Sequence, residues 1–486
     1  MDGGLMAAAP NGRNPNLMTI FKLADRGAFT GIPLTFLNRC RAYQFPAADG
    51  AEGFVVDGQL AEAAARLGLT GEAAEGLPET STPPRIAIYA GEAVGYPYWA
   101  YYAHSLLSLG LTFSPIDGRQ IVAGALSDYD LLVMPGGFAT WGLDRAENLA
   151  GIDAAIHAFI SAGGAFMGSC GGGFYASDGR PGWLRAIDAT PNYTQEYLST
   201  GAAVLGISVS DPVLGRGLPE AIELPYYHGP VYSNSVRAAV SLGHFRNFIS
   251  ESRLFIDNPL APSLFDREMK NTPAVLSANL GRGKVIIFSP HPEMGEFLRK
   301  GIVLEAYVRR FLPIRGFKVM DETLRFFMKE DCAGFRLIYN ALVYLGLFER
   351  RGDGAISEME KVSPHELLQL LNELDAAMIA SFVRLEALAC SETEAMHHLL
   401  SAEFGRLKQE WQDVLAGIRT ECAAGLVDIR LVDGLVGVLQ ASLPSLEAPS
   451  KPTETLVLTE MPIRLCAAGL RIMRCDNALE TSHENR

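Results

Sequence analysis

The stretch Gly168-Ser169-Cys170-Gly171-Gly172 constrains the fold of this chain more than any other. It follows the apolar run Ala165-Phe166-Met167 and leads into Gly173-Phe174-Tyr175-Ala176. That order predicts a short buried strand, a sharp turn and a new helix. A strand-to-helix turn this tight leaves no room for side chains beside its middle residue, so glycines flank it. The spacing is that of a nucleophile elbow, with Cys170 where serine often stands. An elbow exposes the sulfur at the top of a sheet and aims a helix N-terminus at it, whose free N–H groups favour thiolate over thiol. Read alone, the stretch also fits a glycine-rich turn around a buried structural cysteine.

A second stretch separates the two readings. Ala274 to Leu280 and Lys284 to Phe288 are apolar runs around Gly281-Arg282-Gly283, the pattern of a β-hairpin. After it come Ser289-Pro290-His291-Pro292-Glu293. On an extended strand, residues two apart share a face, so His291 and Glu293 are expected side by side. A cysteine nucleophile needs a base, and the base needs a third group to fix its tautomer and orientation. Cys170, His291 and Glu293 supply the three.

Ahead of the elbow the pattern is α/β. Arg85 to Ala90, Leu111 to Ile116 and Tyr129 to Met134 read as strands, while Tyr98 to Leu109 and Ile152 to Ala162 read as helices. This alternation predicts a parallel sheet covered on both faces, with its site at the carboxyl ends of the strands. Gly136-Gly137 and Cys170 fall at such ends. An oxyanion needs two backbone donors; the Gly171 amide is one, and a Gly137 amide is the natural second because glycine lets backbone approach a substrate closely.

Together, Met134-Pro135-Gly136-Gly137, Gly168 through Ser177, Tyr226-Tyr227-His228-Gly229-Pro230 and Ser289 through Glu293 resemble the class I glutamine amidotransferase-like superfamily. They are most similar to the domain at the N-terminus of yeast-type biotin-protein ligases, over roughly residues 85–312. The resemblance implies a flavodoxin-like doubly wound sheet, an elbow cysteine with a His-x-Glu after a late hairpin, and Tyr227 and His228 near the pocket mouth. It implies no cofactor. The chain departs from glutamine-using members at Phe174, where they carry glutamine to hold the substrate. Nor does the C-terminal half contain a Ser-Gly-Gly-x-Asp-Ser nucleotide loop or another synthetase signature.

Composition divides the chain into a partly disordered N-terminal extension (1–84), the α/β domain (85–316), a helical domain (317–441) and a linker and tail (442–486). Gln59 to Leu69 is expected as one short helix and Glu296 to Phe311 as a closing helix. In the helical region, Leu367, Leu371, Leu374, Met378, Phe382 and Leu385 form one stripe, and Leu400, Phe404, Leu407, Trp411, Val414 and Ile418 another. These predict an antiparallel helix pair, with Asp321 to Leu347 as a third member and a homodimer or partner protein as the use of the wide stripes. Glu394 and His397 have the spacing of a di-iron ligand pair, but a single such motif does not make a site, so no metal is expected.

A formal net charge of −14 argues against nucleic-acid and anionic-membrane partners. Cysteines at 40, 170, 332, 390, 422, 466 and 475 are odd in number and contain no Cys-x-x-Cys pair, which suits free thiols in a reducing compartment. No apolar run approaches the ~18 residues of a membrane span, and the N-terminus lacks signal-peptide order. Cytoplasmic is the resulting expectation. Three functions stay open at this point. The first is a cysteine hydrolase or acyl-transfer enzyme acting on a small amide or ester, with Phe174, Tyr227 and His228 lining its pocket. The others are an amidotransferase subunit with a separate synthetase and a non-catalytic scaffold working through its helices.

An elbow beside a histidine makes Cys170 the thiol expected to react first. Limiting iodoacetamide followed by peptide mapping checks this, and preferential labelling of Cys332 or Cys390 would contradict the elbow.

Overall fold

The computed structural model describes residues 42–46, 52–56, 65, 83–92, 94–137, 148–192, 200–233, 239–295, 298, 301–302, 305, 333–348, 360–390, 394–448 and 451–483. β1 (Ala42–Pro46) and β2 (Glu52–Val56) pair as an antiparallel hairpin. The main sheet begins with β3 (Ile86–Tyr89), helix α1 (Tyr98–Ser108), β4 (Ser114–Ile116) and β5 (Leu131–Met134). Helix α2 (Leu149–Ser161), β6 (Ala165–Ser169) and the short helix α3 (Gly171–Ala176) follow. β7 (Ala202–Val209), β8 (Ile222–Tyr227), β9 (Val240–Glu251), β10 (Pro273–Leu280) and β11 (Gly283–Phe288) complete it.

The sheet order is β4-β3-β5-β6-β11-β10-β9-β7-β8. From β4 to β11 neighbouring strands run parallel; from β11 to β8 they run antiparallel. The parallel part, numbered along the chain, is 2-1-3-4-5, the flavodoxin-like doubly wound order. β3, β5 and β6 are buried along their whole length, as continuous apolar runs in a two-sided parallel sheet should be. The parallel sheet expected from the α/β alternation is therefore half of a mixed one. The antiparallel extension is built from β10, β9, β7 and β8, in that order beyond β11.

Among the described residues, four long helices make up the C-terminal region: α5 (His365–Cys390), α6 (Glu394–Ala423), α7 (Ile429–Glu447) and α8 (Pro452–His483). Trp411 Nε1 donates to Asp375 Oδ1 at 2.7 Å, and Arg419 Nη2 to Asn372 Oδ1 at 2.8 Å. Residues rising along α6 thus meet residues falling along α5, so the pair is antiparallel. The third member is not drawn from 321–347: α4 (Ala333–Tyr344) packs instead against β8 and the turn carrying Glu293. Nor is 442–486 a linker and tail. α7 carries Pro444 inside its last turns, and α8 is the longest helix of the described residues, clasped to α6 by Arg464 on Glu410 and by Arg406 of α6 on Glu460. Pro462 and the Ser/Pro-rich start of this segment hid its apolar positions. The helix expected over 59–69, the first part of 321–347 and most of the helix over 296–311 lie outside the described residues.

The helices dock on the sheet domain because α1 requires it. Trp99 to Leu107 are all buried, and a helix apolar on every side needs a cover on each. The sheet supplies one, and α8, with help from α7, supplies the other. His104 of α1 shows how closed this seam is: burial, reinforced by Arg464 and Arg471, pushes its imidazole down to about 3. α7 also lies along the edge strand β4, where a Cβ on Gly434 would stand 3.1 Å from Phe113 O and one on Gly437 3.1 Å from Pro115 Cγ. One continuous apolar core runs from Ile86 to Met473. Against the expectation that no apolar run approaches a span's length, Ile429–Glu447 is long and apolar enough to cross a membrane, but half of it is buried inside this core.

With a shared core, the two regions are expected to melt together. Leu435 is fully buried in α7 against Gly469 of α8, so Leu435→Ala should cost roughly 2–5 kcal/mol. Calorimetry should record one transition in both proteins, shifted down in the variant. Two resolved transitions would separate the regions.

Candidate active site

The nucleophile is placed by register. β6 pairs with β11 so that Ser169 lies beside Phe288, and the Cys170 N–H donates to Phe288 O at 2.9 Å. Cys170 sits at φ 48°, ψ −108°, the strained backbone an elbow requires, and α3 starts at the next residue. Glycine is obligatory around it: a Cβ on Gly172 would stand 2.1 Å from Met134 O, and one on Gly168 2.9 Å from Gly172 C. The thiol donates to Tyr227 O at 3.0 Å.

His291 does not lie on the strand, as its spacing from Glu293 suggested. β11 ends at Phe288, prolines at 290 and 292 deny further ladder bonds, and Pro292–Met294 form a 3-10 turn. The turn still brings the pair together, His291 Nδ1 standing 2.7 Å from Glu293 Oε1. Both side chains are 1% exposed. Since a carboxylate accepts, Nδ1 carries the proton and Nε2 is left to receive one. Gly136 makes the Cys–His approach possible, because a Cβ there would lie 2.6 Å from His291 Cε1 and 3.3 Å from Cys170 Cβ.

Ser169 is a member that sequence reasoning missed. Its hydroxyl, fully buried, donates to Glu293 Oε1 at 2.6 Å, the oxygen that also takes His291. The signal was present: a serine inside an otherwise apolar buried strand needs a partner. The electrostatics follow from burial. Loss of water alone would push the His291 imidazole down, but Cys170 and Glu293 beside it outweigh this and lift it to about 10.

Seen from outside, the site is a pocket of about 120 Å³. Every predicted site residue except Glu293 lines it: Gly137, Cys170, Gly171, Phe174, Tyr227, His228 and His291. Glu293 lies behind His291. Gly137 takes φ 84°, and a side chain there would strike the Tyr98 ring 2.6 Å away. Phe174 leans on Trp183, ring centroids 5.8 Å apart. Tyr227 meets the His291 ring edge-on at 6.0 Å. His228, at φ 54°, accepts the Gly201 N–H on Nδ1 at 3.1 Å, which leaves Nε2 as the protonated ring nitrogen. The rest of the lining is Pro97, Tyr98, Tyr101, Phe255, Ile256 and Met294. These escaped the sequence reading because they come from a helix start, a loop and a turn with no shared motif. No carboxylate, guanidinium or ammonium group lines the pocket among the described residues, and among them no cluster fit to hold a metal ion occurs.

The geometry defines a doubly wound α/β unit with a cysteine, a histidine and a glutamate gathered where its parallel strands end. Residues 106–180 match the family model described as biotin-protein ligase, N terminal. That match includes Met134 to Gly137 and the elbow, and stops short of the His-x-Glu hairpin. No curated protein matches the chain. Among solved structures, a glutamine amidotransferase is similar at 17% identity, over 43% of this chain and 90% of its own, with TM-score 0.29. A glutamine amidotransferase from Thermotoga maritima is similar at 14% identity over 55% and 98%, TM-score 0.32. The GH42 β-galactosidase Gan42B is similar at 14% identity over 46% and 30%, TM-score 0.26. What assigns the fold is the strand order and the elbow, which stand without these likenesses.

The raised His291 has a consequence for stability. A histidine with an unfolded pKa near ~6.5 that is held protonated in the fold contributes stability fully below that pH. The contribution is lost as pH rises toward about 10. Urea unfolding of the wild type should therefore show stability falling across this window. Cys170→Ala, which removes one of the two groups holding the proton, should show a shallower fall; identical slopes would contradict the coupling.

Proposed function

We propose that this chain is a cysteine-nucleophile hydrolase or acyl-transfer enzyme acting on a small, weakly polar amide or ester. Cys170 attacks the carbonyl carbon as the thiolate of a Cys170–His291 ion pair, the thiol proton having passed to His291 Nε2. Glu293 holds the ring through Nδ1 and stabilises the imidazolium. The Gly171 amide, first in α3 and so without an intrahelical acceptor, and the Gly137 amide receive the oxyanion. His291 then passes its proton to the leaving amine or alcohol as the tetrahedral intermediate collapses to a thioester. Water, or a second nucleophile in acyl transfer, attacks that thioester with His291 again as base. Ser169 shares Glu293 with His291 and limits how far the carboxylate turns.

The observation that carries this reading is the pocket itself, which joins Cys170 and His291 to walls of Tyr98, Tyr101, Phe174 and Tyr227. Free glutamine would bring an α-ammonium and an α-carboxylate into those walls, and buried substrate charges without partners lose several kcal/mol. Apolar acyl groups carry no such cost.

Hydrolysis of p-nitrophenyl acetate and butyrate tests the reading. Cys170→Ala and His291→Ala should each lower kcat/KM by about 10³-fold or more, and Glu293→Gln by about ten times less than His291→Ala, since it orients the base without transferring the proton. Vigorous release of ammonia from free glutamine by the wild type would replace this reading with the amidotransferase one.

A further inference from the structure

We propose that Glu454, in the first turn of α8, sets one wall of the pocket by holding the backbone of Phe255, which makes the helical region part of the substrate site. The proposal rests on that pocket being the reaction site.

Phe255 and Ile256 line the pocket, and Phe255 is held at φ 66°. A bulky side chain in the left-handed region is an outlier that persists only where its surroundings over-determine it. The ends of this loop are tied to β7: Ser252 N and Leu260 N both donate to Ala202 O, at 3.0 and 2.9 Å, and Ala202 N donates to Asn258 O at 2.8 Å. Ser252 Oγ also meets the Tyr227 hydroxyl at 3.2 Å. Between these anchors, the Phe255 amide donates to Glu454 Oε1 at 3.0 Å, 199 residues further along the chain.

Glu454 is itself fixed. Its Oε2 accepts the Lys451 N–H at 3.4 Å, its Oε1 lies 3.7 Å from Lys451 Nζ, and a carboxylate in a helix's first turn suits the helix dipole. The next turn of α8 and the same loop share Gly301 as a neighbour, a Cβ on it lying 2.8 Å from Val457 Cγ2 and 3.5 Å from Leu254 Cδ2. α8 therefore reaches the pocket through one charge-assisted bond on a strained residue. Without that acceptor, Phe255 relaxes toward ordinary backbone angles and the wall moves with it.

The test compares alkylation of Cys170 in the full chain by iodoacetamide and by N-benzyl-2-iodoacetamide. The two share a warhead and differ only in the group the pocket must hold. Glu454→Ala should lower the ratio of benzyl to parent rate by about fivefold or more, a size typical of one lost apolar contact region. Glu454→Gln, whose amide oxygen still accepts the Phe255 N–H, should keep the ratio within about twofold of the wild type, and Phe255→Gly should lose as much as Glu454→Ala. The double variant should lose no more than either single one, the signature of residues acting as a unit. A wild-type ratio in Glu454→Ala, an equal loss in Glu454→Gln, or losses that multiply in the double variant would overturn the proposal. Should Glu454→Ala fail to fold, Glu454→Asp replaces it, one methylene short of the amide, with the same loss expected and a wild-type ratio overturning. Absence of wild-type labelling at Cys170 would defeat the reaction-site reading, a result distinct from labelling that ignores Glu454.

Discussion

The pairing of Ser169 with Phe288 is the contact on which the site depends. It sets two chain segments at one height: the elbow on β6 and the exit of β11 that delivers His291. Strand side chains alternate faces, so a slip of one residue would turn the whole of β11 over and carry His291 away from the sulfur. The Cys170 N–H on Phe288 O locks the register at the point where it matters. Gly136 on the neighbouring strand end then admits both side chains to the same space. Register and glycine together do what no single motif could: they bring residues more than a hundred positions apart into one cluster.

Burial turns that cluster into a unit. Ser169, His291 and Glu293 are almost wholly removed from water, where an unpaired polar group is costly, and a charge far more so. Each therefore depends on the others. Glu293 is tolerable because Ser169 and His291 both donate to Oε1, and His291 stays protonated because Cys170 and Glu293 flank it. Among the described residues Glu293 Oε2 has no hydrogen-bond partner, so the carboxylate's orientation rests on the bonds to Oε1.

Much of this was legible in the sequence, for specific reasons. The elbow was visible because only glycine fits around Cys170, and the hairpin because apolar runs flank a Gly-x-Gly turn. The stripes of α5 and α6 were visible because a 3.6-residue period leaves a mark; Leu367, Leu374, Leu407 and Ile418 are indeed buried. What escaped lacked any local mark. The turn holding His291 and Glu293 was hidden by the assumption that a strand continues, although the flanking prolines forbid it. α8 was hidden by a Ser/Pro-rich start and an internal proline, because its stability comes from tertiary packing, which overrides propensity. Ser169 announces itself only once its strand is known to be buried on both faces. Phe255 owes its place in the pocket to a backbone angle that no residue type encodes.

The all-round burial of α1 connects these observations. A helix reading Tyr-Trp-Ala-Tyr-Tyr-Ala-His has no solvent face to give up, so the sheet domain alone would leave an apolar strip bare. α8 covers it, and in doing so its N-terminal turn comes to rest beside the loop of Phe255. Tyr98 and Tyr101, at the start of the same helix, form another part of the pocket lining. The element that makes the helical region necessary for stability is thus also an element of the site. Covering α1 and shaping the pocket are two results of one docking event, which is why the helices cannot be treated as an appendage to the chemistry.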